Sequence, residues 1–331
     1  MTISRRHLFA TGAMLAGAAA SLPLAAGRAQ AQPAPSPAAP PVGQLPSAYR
    51  YKVGDAMVTA FSDGAFSRPV DASFVRNATV EEVKKALADA HLPTDTLQIS
   101  FTTLVVETGS SKILIDAGFA DNGPPTAGRM LSAMEMAGLK PADITHVLIS
   151  HFHGDHIAGL RRKDGTATFP NAEVLVPEPE WAYWMDDGKM AQAPEGLKGN
   201  FSAVRRVFAP MAPSVRRFAW GKEVLPGITA VEASGHTPGH TAFAVTTGGG
   251  KLLVLSDTTN VPYLFVRYPE WQVMFDMDPE LARSNRRRLL DMAASEGMQV
   301  AGYHFPFPAT GFIGRDGKGY ALDPVVWRAA L

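Results

Sequence analysis

Four of the six side chains in His151-Phe152-His153-Gly154-Asp155-His156 can bind a metal, and the stretch follows the apolar run 145–150. Neutral imidazoles and carboxylates suit zinc and similar borderline cations. In an extended segment His151 and His153 share one side, while a turn at Gly154 frees Asp155 and His156 to reach a neighbouring position. The spacing is not helical, so the motif is expected to be a loop that serves two adjacent metal positions. A His-rich surface loop is the competing explanation. It loses weight because further candidates follow later apolar runs: Asp116 after 112–115, His236 just beyond 228–232, Asp257 after 252–256 and His304 after 300–303. Any one of them has a bland reading, as a turn-opening Asp or a satisfied polar His. All of them at strand ends point to a site, because side chains gather where ladders stop and loops begin.

The elements that must position these groups follow from periodicity. Residues 50–53 and 57–62 alternate around Gly54-Asp55 and predict a hairpin. Spacing at Val83, Ala86, Leu87 and Ala90 predicts a helix over 80–90. Strands are expected at 98–107, 112–115 and 145–150, with a helix through Met130, Met134 and Ala137 before the third. A second set follows: a strand at 173–176, helices at 178–186 and 200–208, and strands at 228–232, 242–247 and 251–256. The helix 280–296 is opened by Asp278-Pro279 and closed by Gly297, and 299–303 reads as a last buried strand. Two runs of strands, each with its own helices, predict an α/β chain whose two sheets pack face to face with helices outside.

Composition narrows the function. Of 331 residues, 31 are Lys or Arg and 31 are Asp or Glu, so no basic excess exists to neutralise a phosphate backbone, and nucleic acid is not an expected partner. Cysteine is absent, which leaves nitrogen and oxygen as metal ligands. Residues 1–31 carry Arg5-Arg6 before an Ala/Gly-rich apolar stretch and end in Ala29-Gln30-Ala31. This resembles a twin-arginine export signal and predicts a periplasmic or secreted protein with no membrane span once processed. Residues 32–46, rich in Pro and Ala, are expected to be a disordered linker, and 47–331 a single catalytic domain. The run Arg286-Arg287-Arg288 reads as a solvated helix face.

Asp116, the HxHxDH set, Gly235-His236-Thr237, Asp257 and His304 together resemble the metallo-β-lactamase superfamily. Thr59-Ala60-Phe61-Ser62-Asp63-Gly64, Phe169-Pro170-Asn171-Ala172, Leu225-Pro226-Gly227-Ile228, Gly235 to Thr241 and Gly317-Lys318-Gly319-Tyr320 are similar to its methyl parathion hydrolase and lactonase group. The resemblance implies an αββα sandwich with two mixed sheets and two divalent ions, expected to be zinc, at one edge. It implies His151, His153 and His236 on one ion, Asp155, His156 and His304 on the other, and Asp257 bridging both. Asp116 and His240 are implied beside the ligands, orienting them. A homodimer is also implied.

Two cations a few ångströms apart acidify a shared water, and the expected reaction is its attack on a small neutral ester: a lactone, an aryl ester or a phosphotriester such as methyl parathion. Asp257 is the expected proton carrier, with Asp155 beside it as the other catalytic carboxylate. An Asp rather than a Cys at the bridging position argues against penicillin-type substrates. Positional similarity selects Phe119, Trp184 and Phe201 as walls of an apolar substrate pocket. The alternatives are a mononuclear iron enzyme of the sulfur dioxygenase type and a non-catalytic exported metal-binding protein.

Overall fold

Alternate burial along the inner strands sets the architecture. The protein is described by a computed structural model covering residues 44, 45 and 47–331. The export signal and almost all of the linker expected from sequence lie outside the described residues.

The first sheet comprises β1 (Ala48–Val53), β2 (Ala56–Pro69), β3 (Thr96–Thr108), β4 (Ser111–Ile115), β5 (His146–Leu148), β6 (Glu173–Pro177) and β7 (Arg216–Phe218), side by side in chain order. The second comprises β8 (Glu223–Leu225), β9 (Ile228–Glu232), β10 (Thr241–Thr247), β11 (Gly250–Ser256), β12 (Gln299–Gly302), β13 (Thr310–Asp316) and β14 (Gly319–Pro324), also in chain order. Both are mixed, because β4 to β7 and the pair β11–β12 run parallel while their neighbours are antiparallel. The helices are α1 (Val80–Asp89), α2 (Met130–Met136), α3 (Gly154–Ile157), α4 (Glu178–Trp184), α5 (Asp187–Gln192), α6 (Glu195–Phe208), α7 (Pro262–Phe265) and α8 (Pro279–Glu296). Among them, no helix is long and apolar enough to cross a membrane.

A strand buried on both faces must be apolar at every position, and it divides its side chains between two cores. Leu252 and Val254 of β11 enter the core between the sheets, while Leu253 and Leu255 face the outer layer with Leu289, Leu290 and Ala293 of α8. In the first sheet Ile113, Ile115, Leu148 and Leu175 point inward, and Leu114, Val147, Val174 and Val176 point out toward α2 and α6. The layering is therefore helix, sheet, sheet, helix.

Local chemistry sets the helix ends. The Asp278 carboxylate accepts a hydrogen bond from Leu281 N at 3.1 Å, and Gly297 takes the left-handed conformation at φ 60° that ends α8. Four expectations differ. The strand at 173–176, expected to open the second set, is β6 of the first sheet. The HxHxDH stretch, expected to be a non-helical loop that turns at Gly154, makes a helical turn over Gly154–Ile157. The helix expected at 200–208 begins earlier, at Glu195. Arg286 is fully buried rather than solvated. The strands β7, β8, β13 and β14 and the helix α5 were not foreseen.

Candidate metal centre

The C-terminal ends of the parallel strands β4, β5, β11 and β12 meet at one edge of the two sheets. Hydrogen bonds cross between the sheets there: Thr102 N donates to Tyr303 O at 2.9 Å and Thr241 N to Ser150 O at 3.0 Å. Two non-glycine residues at these ends, Asp116 (φ 61°) and Ser256 (φ 45°), hold the left-handed conformation. Strain of this kind persists only where the surroundings over-determine it, and it collects at functional sites.

Two ligand-type groups result. In one, His151, His153, His236 and Asp257 bring their donor atoms within 4.8 Å of one another; in the other, Asp155, His156 and His304 do the same. His153 Nδ1 lies 3.0 Å from His151 Nε2 and 3.0 Å from His236 Nε2. Asp257 spans the groups, with Oδ2 3.2 Å from His236 Nε2 and 3.0 Å from His304 Nε2 and Oδ1 3.3 Å from His156 Nε2.

The imidazoles are oriented from behind. Asp116 Oδ2 lies 2.8 Å from His156 Nδ1 and also accepts the Ser150 hydroxyl at 2.8 Å, while Ser150 Oγ is 3.0 Å from His151 Nδ1. His304 Nδ1 donates to Ser100 O at 2.9 Å. These bonds fix the tautomers so that the Nε2 lone pairs of His151, His156 and His304 face the cluster, where His153 presents Nδ1. His240 is engaged elsewhere: Nδ1 donates to Ala233 O, and Nε2 accepts Asp257 N, both at 3.0 Å. It positions the Asp257 backbone.

Sequence reasoning missed Asp276 and Arg286. Asp276 Oδ1 sits 2.9 Å from His236 Nδ1, and its other oxygen pairs at 3.1 Å with Arg286, whose Nε donates to Thr258 O at 2.9 Å. Helical spacing around α8 places Arg286, the first of the apparent basic run, on the buried face with Ala282, Asn285 and Leu289, a signal that the run of three arginines obscured.

The electrostatics ask for cations. Among the described residues, Asp116, Asp155 and Asp257 meet imidazoles and no Lys or Arg. Burial disfavours the imidazolium of His156, yet Asp155, Asp116 and Asp257 outweigh it and hold its pKa well above the ordinary value. At His236 burial is likewise overcome, by Asp257 and Asp276, to about 9. Burial prevails at His153, down to about 3. His156 Nε2 and Asp257 Oδ1 are buried without a hydrogen-bond partner. An uncompensated buried acceptor is costly, and two divalent cations fit this donor set.

His153, Asp155, His236, Asp257 and His304 open into a cavity of about 320 Å³ whose walls are Phe66, Ile99, Phe101, Phe119, Pro124 and Phe275, with Asn200 among its few polar groups. A larger cavity of about 580 Å³, between α1, α7, β13 and β14, contains none of these ligand-type groups. Chemistry rather than size selects the smaller one. Phe119 is therefore a wall. Trp184 and Phe201 are not: both are fully buried in the core between the first sheet and its helices, with ring centroids 4.8 Å apart. The Trp184 indole N–H donates to Glu180 at 2.7 Å. Both aromatics stand on helix faces turned to the core, and Asn200, next to Phe201, faces the cavity instead.

Residues 95–301 match the model of the metallo-beta-lactamase superfamily. The chain belongs to that superfamily. Its fold matches the dizinc quorum-quenching lactonase AidC, solved with the product N-hexanoyl-L-homoserine, at 25% identity and a TM-score of 0.81 over 86% of this chain and 99% of that one. The hydrolase AbOPH matches at 28% identity and a TM-score of 0.80 with the same coverage. An N-acyl homoserine lactonase from Bacillus sp. is 23% identical over 225 residues, 62% of this chain and 80% of the relative. The expected two-sheet sandwich is thus found, in a family of metal-dependent hydrolases with lactonase relatives.

Proposed function

We propose that this chain is a dinuclear hydrolase of small neutral esters, with lactones as the leading substrates and aryl esters and phosphotriesters as further ones. The observation that carries the reading is Asp257, whose two oxygens reach separate ligand-type groups at the mouth of an apolar cavity. His151, His153 and His236 would hold one ion, Asp155, His156 and His304 the second, and Asp257 both. When bound, two divalent cations supply Lewis acidity and an activated water at neutral pH.

The chain's own residues do the rest. The aromatic walls exclude water and bind an apolar acyl or aryl group. Asp257, buried and in reach of both groups, accepts the proton of the attacking water as it adds to the carbonyl carbon. That proton passes from Asp257 to the leaving oxygen as the ester C–O bond breaks, and Asp155, beside Asp257 and partly open to the cavity, faces the same reacting atoms as an ionised carboxylate. The lactonase relatives support lactones, and the separate second group of Asp155, His156 and His304 supports two ions over a single iron.

The test is kcat/KM of the zinc-loaded protein on a γ-lactone, an acyl-homoserine lactone, a p-nitrophenyl ester and methyl parathion. Asp257→Asn is expected to lower kcat at least about 100-fold, the usual scale for a lost acid–base group; unchanged turnover at full metal content would remove Asp257 from the chemistry. One iron per chain, or no turnover of any of these esters, would overturn the reading. We further propose export by the twin-arginine route and a homodimer. Cell fractionation of an R5K/R6K variant and sedimentation test these two points.

A further inference from the structure

Glu180, at the start of α4, is fully buried, and nothing in the proposed chemistry uses it. Its Oε1 accepts hydrogen bonds from Phe152 N at 2.9 Å and Trp184 Nε1 at 2.7 Å. Its Oε2 accepts from Thr237 Oγ1 at 2.9 Å and Gly239 N at 2.7 Å. All four donors are neutral, so the carboxylate is stabilised by dipoles alone, the arrangement that best satisfies a buried anion lacking a counter-ion.

Trp184 belongs to α4 itself, and the other three donors come from two loops. Phe152 stands between His151 and His153, and Thr237 and Gly239 follow His236. A single carboxylate therefore joins the loop leaving β5 in the first sheet to the loop between β9 and β10 in the second. The approach is closed by glycine: a Cβ at residue 239 would stand 2.2 Å from Glu180 N and 2.5 Å from Glu180 Cα. The loop can seat against α4 only because residue 239 has no side chain.

We infer that Glu180 is a positioning residue, which sets the spacing of His151 and His153 relative to His236 and so governs occupation of the first ion position but not the second. The second group, Asp155, His156 and His304, is oriented by Asp116, Ser100 and the Tyr303 hydroxyl on Asp155 O at 2.6 Å, none of which touches Glu180. The inference rests on the reading that His151, His153 and His236 hold one ion.

Glu180→Gln keeps size and shape but turns an NH₂ toward either the Phe152 and Trp184 N–H groups or the Gly239 N–H, the Thr237 hydroxyl alone being able to turn and accept it, so one of the two loops loses its backbone bond. Metal-free full-length protein is titrated with zinc against a chromophoric chelator. The wild type is expected to show two binding steps. In E180Q one step is expected to weaken roughly 10- to 100-fold, the range for lost groups behind a metal ligand, while the other keeps its affinity. Thr237→Val, which deletes one of the four bonds, is expected to shift the same step by less, and it serves if E180Q does not fold. Val204→Ala, in the same helical core, controls for general destabilisation and is expected to leave both steps in place. Two unchanged steps in E180Q, or both weakened equally, would overturn the inference. Zinc-free behaviour of the wild type would instead sink the metal reading beneath it, and the wild-type trace alone distinguishes that case.

Discussion

At the scale of single residues, position outweighs composition. Arg286 and Arg283 lie on one helix, yet Arg286 is fully buried against Asp276 whereas the Arg283–Glu270 pair, 3.0 Å apart, is exposed. Breaking a buried pair strands a charge away from water, and breaking an exposed one costs little because solvent already screens it. Arg286→Met is therefore expected to cost about 3–5 kcal/mol in urea unfolding, and Arg283→Ala less than about 1 kcal/mol. Equal costs would mean that Asp276 finds another partner. Asp63 makes the opposite case, a buried acid without a cation. It accepts Phe119 N at 2.9 Å and Met130 N at 2.8 Å, and burial raises its pKa to about 6 from an ordinary 3.8. The folded state thus binds more protons than the unfolded one between these values, so stability falls as pH rises through the window from about 4 to 6. Asp63→Asn removes that slope. In metal-free protein the stability difference is expected to move in favour of the variant by on the order of 2 kcal/mol from pH 4 to 6.5, since other titrations cancel between the two proteins. A difference that stays constant across that window would contradict the assignment.

At the scale of elements, the loop carrying His236 shows how glycine spacing serves a ligand. Gly235 has φ 120°, and a Cβ there would stand 2.2 Å from Ala282 N of α8. Gly235→Ala is expected to cost more than about 1 kcal/mol, because the backbone conformation excludes a side chain and the helix blocks relief. It should also lower bound zinc measured by elemental analysis; full metal content would show that the loop shifts without moving the imidazole. This geometry also explains what was legible in the sequence. The apolar runs 112–115 and 252–256 could only be buried strands, and Asp278, Pro279 and Gly297 mark both ends of α8. The candidate ligands stand out because acid or imidazole follows five separate apolar runs, a recurrence that turn chemistry explains one residue at a time but not together. Strands β13 and β14 escaped because Gly311, Gly314 and Gly319 interrupt their alternation. Trp184 and Phe201 were misplaced because an aromatic on a short helix fits a core as well as a pocket wall, and Glu180 was invisible because only the folded chain gathers its four donors.

At the scale of the whole molecule, each ligand-type group draws on both sheets. His151, His153, Asp155 and His156 leave the first sheet, and His236, Asp257 and His304 belong to the second. An ion in either position would therefore tie the two layers together at an edge where, among the described residues, three carboxylates meet imidazoles and neutral donors but no Lys or Arg. Binding that favours the folded state over the unfolded one adds RT ln(1 + [L]/Kd), about 4 kcal/mol per ion when free zinc exceeds Kd 1,000-fold. For a domain of this size each kcal/mol moves the midpoint by roughly 2 °C, so complete chelation is expected to lower Tm by about 8 °C for each ion removed. Readdition of zinc should restore it in two steps as the positions fill, whereas magnesium, which prefers all-oxygen coordination and keeps its waters, should not. A midpoint indifferent to chelation, in protein that analysis shows to have carried two zinc ions, would place those ions on the surface and away from the junction of the sheets.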